Sequence, residues 1–138
     1  MGVNDGTPVA AVILWRSDNA VLLQHRDDKP GLPYSGYWTP PGGHCEPEET
    51  LEECARREFL EETAYHCLSL KFVGRVFEDQ VPESAPHWVT FFSSRFDQEQ
   101  IIECREGQAL EFVQRRDVNN YQMPRYIVSM WDLALSLR

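Results

Sequence analysis

Residues 43–65 read Gly43-His44-Cys45-Glu46-Pro47-Glu48-Glu49-Thr50-Leu51-Glu52-Glu53-Cys54-Ala55-Arg56-Arg57-Glu58-Phe59-Leu60-Glu61-Glu62-Thr63-Ala64-Tyr65, and the spacing of their acids decides how the chain folds around them. Glu58, Glu61 and Glu62 stand at i, i+3 and i+4, so on an α-helix they share one narrow face. Like charges so placed repel one another and weaken the helix. A solvated face is the ordinary fate of a charge run. A cation between the three removes the repulsion, and an all-oxygen donor set suits a hard divalent ion, Mg²⁺ or Mn²⁺, rather than zinc. Mg²⁺ binds one or two carboxylates together with water and phosphate oxygens, which makes a diphosphate or triphosphate compound the expected third party.

The helix is expected from about Thr50 to Thr63. Thr50 is a good N-cap, Glu53 three residues on completes a capping box, and Glu52 sits near the positive end of the helix. Leu51, Ala55 and Phe59 recur at four-residue steps and form the apolar seam that anchors the helix to a sheet. The acids border that seam, so packing fixes their direction.

The same stretch resembles the Nudix box. That pattern runs glycine, five residues, glutamate, seven residues, Arg-Glu, a bulky apolar residue, one residue, Glu-Glu, one residue, glycine and an apolar residue. Gly43, Glu49, Arg57, Glu58, Phe59, Glu61, Glu62 and Tyr65 match it, and the Trp38-Thr39-Pro40-Pro41-Gly42-Gly43 lead-in is similar to the family's approach to the box. Ala64 departs from it, standing where the family has a glycine that supplies a left-handed exit from the helix. The resemblance implies an α/β fold, the Nudix α/β/α sandwich with a mixed sheet between helices. It implies a Mg²⁺-dependent hydrolase, with Mn²⁺ as a substitute, acting on a diphosphate linkage of a nucleoside triphosphate or another nucleoside diphosphate derivative.

Residue by residue, the resemblance makes Glu61 and Glu62 primary metal ligands and Glu58 a residue shared between metal binding and general base. Glu49 becomes an outer ligand or a partner at the helix entrance, and Gly43 a source of a backbone carbonyl for the metal. Arg57 holds a box glutamate by a charge-assisted hydrogen bond. Arg105-Glu106-Gly107-Gln108 is similar to a segment of triphosphate-cleaving members in which the glutamate is a further ligand or base, although it reads equally well as a solvent-exposed turn. Arg26, at a strand end, matches a family arginine that contacts phosphate. Trp38 and Trp88, with Tyr34, Tyr37 and His87, are candidates for stacking on a base, against the commoner fate of aromatics in strands, which is the core.

The 138 residues suit one domain, 1–138, with one core. A formal charge of −9 argues against a nucleic-acid-binding surface, whereas a bound metal would invert the local charge for a small phosphorylated substrate. No apolar run is long enough to span a membrane, and Met1 to Pro8 is polar rather than basic then apolar, so the expected setting is cytoplasmic. Cys45, Cys54, Cys67 and Cys104 form no Cys-x-x-Cys pair and read as free thiols, with Cys45, next to the box glycine, the one open to oxidation.

Outside the box, Val9 to Trp15 and Val21 to Leu23 read as buried strands of a hairpin. Residues 27–36, with two prolines and two glycines, read as a loop that carries substrate contacts. Leu68 to Phe77 and Trp88 to Phe96 read as strands joined by the Pro82 to Pro86 turn, Glu111 to Val113 as a short strand, and Pro124 to Leu137 as a helix. The expected partner is a small nucleotide, not a nucleic-acid polymer or a membrane. A homodimer is compatible with the pattern but has no assignable surface. Two rivals remain open, an ADP-ribose or nucleotide-sugar pyrophosphatase, for which Pro82 is a slight cue, and a nucleotide-binding module without catalysis, whose usual mark is loss of box glutamates.

Overall fold

A computed structural model describes residues 5–138; residues 1–4, the start of the polar N-terminal stretch, lie outside it. The central strand is β1 (Val9–Trp15), whose five interior residues are all buried because it is covered on both faces. It runs parallel to β6 (His87–Arg95) along its whole length, from Val9 opposite Val89 to Trp15 opposite Arg95. Along its other edge the antiparallel partners divide. β4 (Gly42–His44) pairs with Val9, Ala10 and Ala11, whereas β2 (Val21–His25) pairs only through Val21 opposite Trp15. The sheet is therefore split between β2 and β4. β2 is completed by β3 (Trp38–Thr39) and β7 (Ala109–Val113), and β5 (Lys71–Glu78) closes the far edge beside β6. Among the described residues the sheet is mixed and has seven strands.

Strand alternation gives two cores, one on each face. Ala10, Val12 and Leu14 point to α1 (Leu51–Thr63), where Ala55, Phe59 and Tyr65 pack on them. Ala11 and Ile13 point to α2 (Ile127–Ser136), where Ile127, Trp131 and Ala134 meet Val89 and Phe91. The α/β/α sandwich is thus as expected. α2 begins at Ile127, after a turn at Pro124, and β5 at Lys71 rather than Leu68. The seam of α1 also differs: Leu51 is exposed, and Cys54, Ala55, Phe59, Glu62 and Thr63 form the buried face.

Both ends of α1 are determined by its sequence. Thr50 accepts from the Glu53 amide at 3.1 Å and Glu53 accepts from the Thr50 amide at 2.9 Å, so the capping box is present. At the other end Ala64 adopts the left-handed conformation, φ 65°, and its N–H donates to the Leu60 carbonyl at 2.9 Å. The exit geometry that glycine would supply is retained by alanine, at a steric cost of about 1 kcal/mol.

The cysteine reading is corrected at one place. Cys45 and Cys54 are joined as a disulfide, while Cys67 is a buried free thiol and Cys104 an exposed one. The segment between β4 and α1 turns back on itself through the Thr50 cap, bringing the two Cα atoms to 5.2 Å despite nine residues of separation. Sequence spacing alone gives no sign of such a return.

Candidate active site

The site lies where α1 crosses the split in the sheet. Glu62 faces inward and is 3% exposed. Its carboxylate accepts from Gln24 Nε2 at 3.1 Å, and the Gly42 amide also donates to it. Burial pushes its carboxyl up to about 9, and the charges of Glu106 and Glu58 push the same way. Glu58, one turn earlier on α1, is raised as well, chiefly by burial, with Arg57 pulling against it. Two acids held together at this depth call for a neutralising partner.

Arg57 supplies part of it. Its guanidinium holds Glu49 through two nitrogens, Glu58 at 3.0 Å and Glu61 at 3.2 Å, and donates to the His44 carbonyl at 3.1 Å. The planar fork of arginine suits this several-fold contact as lysine would not. The pairing keeps Glu49 ionised, with its carboxyl held down at about 2 by the Arg57 hydrogen bonds. Glu61 is the outermost acid, with its side chain 58% exposed.

Gly43 stands directly against Glu58. A Cβ there would collide with the Glu58 carboxylate, and one at Gly42 would collide with the Ala10 carbonyl of β1. Only glycine allows the backbone of β4 to approach α1 so closely. From the other side of the cleft, Gln24 Nε2 donates to the Glu106 carbonyl at 3.1 Å, which ties the 105–108 loop to the Glu62 end of the site. Arg26 donates to the Pro33 carbonyl at 3.0 Å and feels the charges of Glu62 and Glu106.

These residues line one cavity of about 330 Å³, which contains Gly43, Glu58, Glu62, Glu106 and Arg26 and continues along the α2 face of the sheet to Tyr34, Glu78, His87 and Tyr126. Its size lies at the lower end of small-molecule sites. Glu49 and Glu61 do not line it; they stand on its outer side with Arg57. Trp38 and Trp88 are not brought to it. Trp38 stacks on His25, ring centroids 4.4 Å apart, and meets Tyr121 edge-on. Trp88 alternates away from His87 to the opposite face, where Phe77 and the Arg75 guanidinium pack on it. Of the aromatic candidates, Tyr34 and His87 line the cavity. Gln24, Glu78 and Tyr126 were not foreseen, since a lone polar residue in a strand and a tyrosine before a helix carry no signal in one sequence.

Among the described residues no three His, Cys, Asp or Glu side chains form a ready-made metal cluster, and Arg57 engages three of the box acids, Glu49, Glu58 and Glu61. The available side-chain donors are nevertheless all oxygen: Glu58, Glu62 and Glu106, with Gly43 beside them. They fit a hard divalent cation, and the raised Glu58 and Glu62 carboxyls are what such a site shows without one.

Comparison with known proteins gives the family and the fold. The sequence profile of the NUDIX domain matches residues 6–130, and the chain belongs to the Nudix family. It is 38% identical to a putative 8-oxo-dGTP diphosphatase of Bacillus subtilis (strain 168) over 68 residues, 49% of this chain and 42% of that protein. It is 34% identical to the human 8-oxo-dGDP phosphatase NUDT18 over 83 residues, 60% of this chain and 23% of that protein. The matched part thus spans less than half of either relative. Among solved structures, a MutT protein from Methanosarcina mazei Go1 superposes with a TM-score of 0.80 at 18% identity, over 97% of this chain and 96% of that one.

Proposed function

We propose that the chain is a divalent-metal-dependent pyrophosphohydrolase that cleaves a diphosphate linkage in a nucleoside triphosphate or a related nucleoside diphosphate compound. The observation that carries this reading is the meeting of Glu58, Glu62, Gly43, Glu106 and Arg26 in one cavity large enough for a small ligand. A divalent ion held by these oxygens would polarise phosphoryl oxygens and activate water. Around it the chain's own groups have separate tasks. Glu62, fixed by Gln24 and the Gly42 amide, would be a rigid ligand of that ion. Glu58, held by Arg57 on one side and by Gly43 on the other, is placed to take the proton of the attacking water. Arg26 offers positive charge to a phosphate, and Arg57 with Glu49 and Glu61 keeps the rim in place.

All box glutamates are present, which supports hydrolysis over mere binding. Nucleotide substrates put the work in the cytoplasm, in a single domain, 1–138. The test is release of the nucleoside monophosphate from a panel of nucleoside triphosphates, nucleotide sugars and ADP-ribose, with Mg²⁺ and with chelator. Chelator-sensitive turnover of at least one compound is expected. Tight binding without turnover would leave only a nucleotide-binding module.

A further inference from the structure

Glu62 and Glu106 line one cavity from different elements, Glu62 from α1 and Glu106 from the loop before β7. Each feels the other's charge, so like charge pushes helix and loop apart. The loop is nevertheless strapped across the gap between α1 and β2. At one end the Glu103 and Arg105 amides donate to the Thr63 and Glu62 carbonyls at 2.8 and 2.9 Å, and at the other the Gln108 amide donates to the His25 carbonyl at 2.7 Å. Glu106 stands between these anchors. Next to it Gly107, φ 84°, lies so close to β2 that a Cβ would come within 2.6 Å of the His25 carbonyl and 3.0 Å of Gln24 Cγ.

Gln24 closes the gap from below. It is 3% exposed and sits on β2 opposite Thr39 of β3 and Leu110 of β7, so strands on both sides hold its backbone. Its Nε2 donates to Glu62 Oε1 and to the Glu106 carbonyl, both at 3.1 Å. A backbone carbonyl only accepts, so the amide nitrogen must face this way, and both of its hydrogens are used. A buried amide needs partners, but any two would satisfy it. These two lie on the elements that carry Glu62 and Glu106. The choice of an amide also matters. Arg57, on the outer side, cancels the charge of the acids it holds, whereas glutamine orients a carboxylate and leaves its negative charge to a cation.

We propose that Gln24 is a positioning residue of the site: its bridge between the Glu62 carboxylate and the Glu106 carbonyl fixes Glu106 relative to Glu62, and affinity for the divalent ion depends on that tie. Gln24 has no part in proton transfer and acts only through the two groups it holds. Metal affinity therefore depends on a residue of β2, outside the box, and the contributions of Gln24 and Glu106 are coupled rather than independent. This inference rests on the metal-dependent reading above.

Titration with Mn²⁺ alone, followed by loss of the free ion's electron paramagnetic resonance signal, tests it without nucleotide or turnover. Gln24→Met keeps the length of the buried side chain and removes both donors. It is expected to bind Mn²⁺ about 10–100-fold more weakly than wild type. Gln24→Asn, whose amide is one methylene short, should lose affinity in the same direction, and it is read by the same criteria if Gln24→Met does not fold. Combined with Glu106→Ala, the loss is expected to be at least about threefold smaller than the product of the two single losses. Wild-type Mn²⁺ affinity in a folded residue-24 variant with a lowered melting temperature would make Gln24 merely structural and overturn the inference, as would single losses that simply multiply. Either result spares the metal-dependent reading. Failure of the wild-type protein to bind Mn²⁺ would overturn that reading and this inference together.

Discussion

Glu62 concentrates the chemistry of the site in one side chain. Its folded carboxyl is raised to about 9 from 4.5, so in the metal-free protein it costs stability as pH rises. The penalty is absent below about 4.5, grows across the window and is complete above about 9. Metal-free Glu62→Gln is therefore expected to melt at higher temperature than wild type around pH 8, with a flatter pH profile; identical profiles would contradict the burial argument. Arg57 acts through its neighbours. Arg57→Lys is expected to weaken Mg²⁺ activation about 10–100-fold while the fold persists, read as a shift in the Mg²⁺ concentration for half-maximal turnover. Gly43→Ala should displace the Glu58 carboxylate and have a comparable effect. That Glu58 and Glu62 face one space was legible in the sequence because their i, i+4 spacing on a capped helix fixes direction. Trp38 and Trp88 were not, since an aromatic's face depends on strand register, which spacing alone leaves open.

At the scale of elements, α1 carries its own boundaries. Removing the cap in Thr50→Ala is expected to cost about 1 kcal/mol in urea unfolding. Ala64→Gly, which relieves the left-handed alanine, should gain about 1 kcal/mol, and a loss there would mean that the exit is not strained. The join between β4 and α1 is a second element-scale device, tied by Cys45–Cys54. Thiol titration of protein purified without reductant should find one reactive group in the native state, Cys104, because burial pushes the Cys67 thiol up to about 12. Denaturation should expose a second, and added reductant should bring the count to four. Four thiols without reductant would contradict the pairing. Capping box and helix were readable because their signals are local. β3 and β4 were missed as strands because two- and three-residue strands exist only through their partners.

For the whole molecule, the split of the sheet between β2 and β4 creates function. It lets the α1 acids reach a cavity that continues to the α2 face, so the residues at its two ends share one space although they lie on opposite sides of the sheet. The order of strands, helix, strands and helix makes a mixed sheet between helices legible in the sequence, but the split depends on long-range pairing. Glu78 and Tyr126 meet only through that pairing, across 48 residues. The central claim is that Glu58 and Glu62 turn this cavity into a diphosphate-cleaving site. The most direct test is Mg²⁺-dependent turnover of the best nucleotide by wild type and by Glu62→Gln, with folding of both checked by melting. The account predicts a loss of about a hundredfold or more in the variant, and turnover within a fewfold of wild type would contradict it.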